Sequence, residues 1–219
     1  MLVTSRSFAE YEAFFALTPA DLSGRVLDCS AGASGFAAVA NARGGRVTAV
    51  DPAYAAGVAG VLMESAPATA RGAAVVRDHE DRFVWHWYGS RERREELRRD
   101  ARAAFERDLR AHPGRYLAGA LPRLPLADGS ADLALCSHLL FTWSDVFDEA
   151  WHEAALTELL RVARQVRVFP LVVQATGDAV GFLPQLLDRL QARGHRVDVV
   201  PVPYEFQRGA DHMLAVTRG

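Results

Sequence analysis

The sequence predicts a doubly wound α/β sheet of about seven strands, the last of them antiparallel, with a helical insert between strands two and three. Three observations carry that prediction. Short apolar runs alternate with Ala-rich or amphipathic stretches from Arg25 to the end of the chain. Arg25–Asp28, Phe36–Ala42 and Arg46–Val50 fit a β-α-β unit into about 27 residues, the spacing of a parallel pair with a right-handed crossover. The connection YEFQRGADH between Arg196–Pro201 and Met213–Thr217 is too short for a helical crossover, so that closing pair is antiparallel.

The elements follow in order. Ser7 to Leu17 reads as an amphipathic helix, with Phe8, Tyr11, Phe14 and Phe15 at helical spacing. Strand one, Arg25–Asp28, follows the turn Ser23-Gly24, and the helix Phe36–Ala42 stops at Gly44-Gly45. Strand two, Arg46–Val50, ends in Asp51-Pro52. Ala53 to Pro113 interrupts the alternation. It holds an Ala-rich helix, the aromatic run FVWHWYG (Phe83–Gly89) and a charged helix from Arg91 to Ala111, with Leu97, Ala101, Ala104, Phe105 and Leu109 as its apolar stripe. Then come strands near Tyr116–Ala120 and Asp132–Ser137, a helix from Phe147 to Ala163 and a strand from Val166 to Val173. The helix Val180–Arg193 stops at Gly194, before the closing pair. Residues 1–219 read as one domain, with 53–113 as an insert or lid.

Composition excludes several classes. Half of the 219 residues are apolar, and the net charge of −2 gives no support for a generic nucleic-acid or membrane binder. No run reaches the roughly 18 apolar residues of a membrane helix. The start MLVTSRSFAEYEAFF lacks a cationic stretch followed by an apolar core, so a cytoplasmic location is expected. All 25 basic residues are Arg, which sets aside P-loop NTPases, kinases and Schiff-base enzymes, each of which needs a Lys. Cys29 and Cys136 are too few for a metal framework or a disulfide array, and no metal is expected.

The loop after strand one, VLDCSAGASGF (Val26–Phe36), contains only Gly32 and Gly35 where a dinucleotide site has G-x-G-x-x-G. Asp28 at the strand end disfavours an anionic ligand and favours a cationic one. S-adenosylmethionine fits, having a sulfonium, an ammonium and no phosphate. Asp51, about 20 residues beyond the loop, is placed to accept from ribose hydroxyls.

Three stretches together resemble class I S-adenosylmethionine-dependent methyltransferases: VLDCSAGASG, VTAVDPAY, and GALPRLPLADGSADLALCSHLLF. The resemblance spans nearly the whole chain and implies a Rossmann-like sheet. It implies that Asp28, Cys29 and the Ser30–Ser34 backbone, including Gly32, face the cofactor's methionine end. Asp51 and Pro52 then hold the ribose, Leu121 and Pro122 lie along the adenine, and Ser137 and His138 close the seat. The resemblance also offers Arg6 and Tyr11 as residues that fold over the cofactor's carboxylate, the competing reading being a plain packing helix. The chain departs from the family pattern at Ser30 and Ser34, which stand where the motif has glycines, and at Ala120, which replaces the usual adenine-binding acid.

His138, at the carboxyl end of strand four, is the candidate general base, and packing against cofactor is the competing reading. Candidate substrate contacts are Trp85 and Tyr88 in the aromatic run, Phe141 and Trp143 after strand four, and Tyr204 near the last strand. A solvated face is the reading for the nine Arg and six acids between Arg91 and Arg115, with Glu95–Arg99 and Glu106–Arg110 as i, i+4 pairs. Cys29 and Cys136 read as small buried neighbours rather than a redox pair. The expected function is O- or N-methylation of a small molecule or peptide side chain. The alternative is a methyltransferase-fold binding or partner subunit without turnover. An NAD-dependent oxidoreductase is disfavoured by Asp28.

Overall fold

Seven strands form the sheet: β1 (Arg25–Cys29), β2 (Arg46–Asp51), β3 (Tyr116–Ala118), β4 (Ala131–Ser137), β5 (Ala163–Phe169), β6 (Arg196–Pro201) and β7 (His212–Thr217). The computed structural model describes residues 4–219. Strand β1 is buried at four of its five positions and β4 at six of seven, as strands covered on both faces must be. The strand order is β3-β2-β1-β4-β5-β7-β6. β7 runs antiparallel to both β5 and β6, and the remaining pairs are parallel.

Among the described residues, six helices accompany the sheet: α1 (Phe8–Phe14), α2 (Phe36–Ala42), α3 (Gly57–Asp78), α4 (Arg91–Ala111), α5 (Glu149–Val162) and α6 (Leu183–Ala192). The core divides by face. Leu133 and Leu135 of β4 join Phe14, Phe36, Phe105 and Phe169 on one side. Ala134 and Cys136 join Leu156, Leu159 and Leu186 on the other. That alternation is the two-residue period of a strand.

Several boundaries differ from the sequence reading, each for a local reason. Helix α5 starts at Glu149 rather than Phe147, because the Asp148 side chain caps it by accepting from the Trp151 N–H at 2.8 Å. It passes straight into β5 at Ala163, where pairing with Ala131 begins the strand before the apolar run does. Helix α1 starts after Ser7, whose hydroxyl and Glu10 form a reciprocal capping box. Helix α4 is rotated from the expected stripe: Arg94, Arg98, Ala101, Phe105 and Leu109 are its buried residues, while Leu97 and Ala104 are only half-buried. Two arginines thus extend the buried face where an apolar stripe was expected to end.

Gly35 explains how closely α4 approaches. A Cβ at Gly35 would lie 2.7 Å from the Ala101 carbonyl oxygen, so the backbones meet only because this residue has no side chain. Among the described residues, no helix is long and apolar enough to cross a membrane.

Candidate active site

The carboxyl ends of β1, β2, β4 and β5 open into one cavity of about 680 Å³, where open α/β sheets place their ligands. Its floor begins at the loop after β1. Ser30 and Gly32 both take left-handed backbone, with φ of 59° and 58°. Glycine adopts that conformation freely, whereas serine is strained in it. A short N-terminal segment braces the loop: the Ala33 N–H donates to the Thr4 carbonyl at 3.1 Å and the Gly35 N–H to the Arg6 carbonyl at 2.9 Å. Ser34 is buried, and its hydroxyl donates to the Arg6 carbonyl at 3.2 Å and accepts from the Phe36 N–H at 3.0 Å.

Asp51 sits at the end of β2 and ties strand to loop. Its carboxylate accepts from the Gly32 N–H and the Ala53 N–H, both at 2.9 Å. Burial raises its pKa, and those two N–H donors work against the shift. The Tyr54 hydroxyl donates to the Gly32 carbonyl at 2.7 Å, closing the same turn.

At the end of β4, His138 also has left-handed backbone, with φ of 56°. Its N–H donates to the Phe169 carbonyl at 2.7 Å, and Nδ1 lies 2.8 Å from the Ser137 hydroxyl. Burial, followed by the charges of Arg6, Arg98 and Arg94, holds its pKa well below the ordinary imidazole value. The ring is therefore neutral across the physiological range.

A buried ionic cluster lies beside the cavity. Glu10 is fully buried, and one oxygen accepts from the Ser7 N–H at 2.7 Å and the Ser7 hydroxyl at 2.9 Å. The other accepts from the Tyr88 hydroxyl at 2.5 Å and forms an ion pair with Arg98 at 2.7 Å, with Arg6 at 3.9 Å. Burial opposes ionisation of Glu10, but Arg98, Arg6 and these hydrogen bonds hold its pKa below the ordinary value. Tyr88 in turn meets the Tyr204 hydroxyl at 2.8 Å.

No protein-family model matches the chain. An uncharacterized protein of Methanocaldococcus jannaschii is similar to it, with 24% identity over 222 residues, 99% of this chain and 96% of the relative. Among solved structures, mitomycin 7-O-methyltransferase aligns with a TM-score of 0.52 and 16% identity, over 97% of this chain and 54% of the other. Magnesium protoporphyrin IX methyltransferase from Synechocystis PCC 6803, solved with bound S-adenosylmethionine, gives 0.50 and 11%, over 97% and 78%. The chain has the class I S-adenosylmethionine-dependent methyltransferase fold. A putative O-methyltransferase from Nostoc punctiforme PCC 73102 gives 0.50 and 18%, over 91% and 53%. The chain thus spans about half the length of two of these methyltransferases.

Within this methyltransferase fold, the structure sorts the residues singled out from sequence into two groups. Arg6, Ser30, Gly32, Asp51, Pro52, Ser137 and His138 line the cavity, as do Trp143 and Tyr204. The others do not. Asp28 is fully buried beneath the loop; Oδ1 accepts from the Tyr11 hydroxyl at 2.9 Å, and Oδ2 has no partner among the described residues. Burial pushes the Asp28 carboxyl up to about 7, with the hydrogen bond from Tyr11 acting against it and the charge of Asp51 adding to it. Tyr11 is committed to that bond and stacks on Phe36 at 4.5 Å. Cys29 pairs in register with Cys136 as a buried free thiol. Leu121 belongs to the core on the far face of the sheet, and Pro122 follows it in the turn that bridges Ala120 and Arg123. Phe141 is fully buried against His152. Trp85 packs edge-on to Phe206 at 5.2 Å, and Tyr88 is taken up by Glu10.

The walls use residues that sequence reasoning missed. Phe83, Val76 and His79 from the insert line the cavity, with Phe206 from the loop before β7. Phe83 and Phe206 stack at 4.6 Å, joining insert to loop. Glu10, Arg94 and Arg98 were also missed, although the Ser7-x-x-Glu10 spacing is a capping-box signal and Arg94, Arg98, Ala101 and Phe105 are spaced along one helix face. The expected Glu106–Arg110 ion pair is replaced: the Glu106 carboxylate takes Arg102 at 3.0 Å and Ser65 at 2.6 Å, while Arg110 donates to the Glu106 backbone carbonyl.

Proposed function

We propose that the protein is an S-adenosylmethionine-dependent methyltransferase that acts on the oxygen or nitrogen of a small molecule or peptide side chain. The observation that carries this reading is one cavity lined by the Ser30–Gly32 turn, the Asp51 carboxylate and the Ser137–His138 corner, at the carboxyl ends of three adjacent parallel strands. Its volume of about 680 Å³ is in the range of cofactor and ligand pockets.

The residues fit the cofactor. Each Asp51 oxygen holds one backbone N–H, which leaves lone pairs for ribose hydroxyls. Arg6 lines the cavity with a buried Nε that has no partner among the described residues, so its guanidinium suits a carboxylate. Asp28 lies behind the wall, and its ionised form favours a cation in front of it. When bound, S-adenosylmethionine supplies a methyl group on a sulfonium. The protein's contribution is to hold the acceptor in line and exclude water, a source of much of the rate in such displacements.

His138 can move a proton at Nε2 if Nδ1–H donates to the Ser137 hydroxyl. Its depressed pKa keeps it in the base form down to acidic pH. A pH–rate profile for an acceptor that must lose a proton then lacks an inflection at the free-imidazole value of about 6.5 and falls only in acid. His138→Ala should lower turnover more than cofactor affinity; equal turnover removes the base role. Calorimetric titration with S-adenosylmethionine tests the whole reading: saturable binding supports it, and no binding favours a partner subunit without turnover.

A further inference from the structure

A second cavity of about 330 Å³ opens between α3 and α4, sharing Thr4 and Gly72 with the wall of the first. Five arginines line it (Arg77, Arg94, Arg98, Arg99 and Arg102) against a single acid, Glu95. Two of the five are already neutralised: Arg98 by Glu10 at 2.7 Å and Arg102 by Glu106 at 3.0 Å. Arg94 is not. It is 8% exposed, has no carboxylate partner among the described residues, and its buried Nε makes no hydrogen bond to them. Phe206, 4.8 Å from its guanidinium carbon, holds it in place.

A buried guanidinium without a counter-charge is costly. Three buried arginines, Arg6, Arg94 and Arg98, lie near one buried carboxylate, Glu10, which pairs with Arg6 and Arg98 only. Two positive charges are left over. Arg6 faces the first cavity, where a cofactor carboxylate would offset it, and Arg94 lines the second. The remaining charge can be offset by a second anion, at a place where small residues of α3 (Ala66, Ala70, Ala73) leave room for it.

We propose that this second cavity is an anion subsite for the methyl acceptor, so that the substrate is an acid whose carboxylate or phosphate group is held by Arg94, with Arg77 and Arg99 at the rim. Its acceptor atom reaches past the shared Thr4–Gly72 wall into the first cavity. The identity of the ligand as substrate rests on the methyltransferase reading; the anion seat does not.

The test is calorimetric titration with inorganic phosphate and, separately, with succinate, at constant ionic strength and without S-adenosylmethionine. Saturable binding of at least one is expected, weakened on the order of tenfold by Arg94→Gln and not displaced by S-adenosylmethionine. Phosphate alone points to a phosphorylated acceptor; succinate, alone or with phosphate, points to a carboxylate. Ligand-free Arg94→Gln should melt at or above the wild-type temperature, because it removes an uncompensated charge. Should it fail to fold, the rim variants Arg77→Gln and Arg99→Gln provide the same reading, each weakening the anion. The proposal is overturned if neither anion binds saturably, or if Arg94→Gln binds as tightly as wild type while melting lower, which would make Arg94 a packing residue. Failure of S-adenosylmethionine to bind contradicts the methyltransferase reading and leaves the anion result standing.

Discussion

The main cavity and the ionic cluster beside it solve opposite electrostatic problems. On the sheet side, the Asp51 carboxylate is satisfied by the N–H groups of Gly32 and Ala53. That wall is complete before any ligand arrives. In the cluster, where the N-terminal segment meets the insert helix α4, Arg6, Arg94 and Arg98 lie around the single carboxylate of Glu10, so that side carries surplus positive charge. A buried ion cluster that is short of anions is weak evidence for stability and better evidence for a missing partner. One is a finished scaffold, and the other is a socket.

The largest expected effect breaks the socket. Glu10→Gln keeps the shape but leaves Arg98 and Arg6 without a buried carboxylate, and should cost about 3–5 kcal/mol of stability in a urea titration. A loss below about 1 kcal/mol would mean that solvent already screens the cluster. Because the pKa of Glu10 is lowered in the folded protein, its contribution is present above the unfolded carboxyl value of about 4.3 and is lost as pH falls through the lower folded value. Wild type should therefore lose stability in acid more steeply than Glu10→Gln.

The next effect concerns how the socket is fastened to the scaffold. Gly35→Ala drives a Cβ against the Ala101 carbonyl oxygen, and overpacking of this kind costs about 1–3 kcal/mol. Unfolding at the wild-type denaturant midpoint would show that α4 can back away.

A third prediction uses pH to separate the two. Asp28 has a folded pKa raised to about 7 against an unfolded value near 3.9. The folded state therefore binds more protons between those values, and stability falls as pH rises from about 4 to about 7. Asp28→Asn should flatten that decline; an unchanged slope assigns it to another group.

The smallest effect is at Ser30, whose left-handed φ of 59° suits glycine. Ser30→Gly should change stability by less than about 1 kcal/mol, because relief of strain is offset by the greater freedom of the unfolded chain.

The same contrast explains what the sequence made legible. The scaffold is local: β1, its loop, α2 and β2 follow one another, so periodicity and turn residues located Gly32 and Asp51 directly. The reversed β7 followed from the short connection that precedes it. The socket is assembled from Ser7–Glu10, Tyr88–Arg98 and Tyr204, segments far apart in the chain. No spacing rule links them, and an arginine on a charged helix looks solvated until its partner is known. Asp28 was misleading in a different way. Its position at the strand end was read correctly, but Tyr11 captures it beneath the loop and away from the cavity surface.

Parallel titrations of S-adenosylmethionine into wild type, Asp51→Asn and Arg94→Gln test the central division most directly. The division predicts saturable binding to wild type, a loss of about tenfold or more in Asp51→Asn, and a change within about threefold in Arg94→Gln. No binding to wild type, or an unchanged affinity in Asp51→Asn, would contradict it.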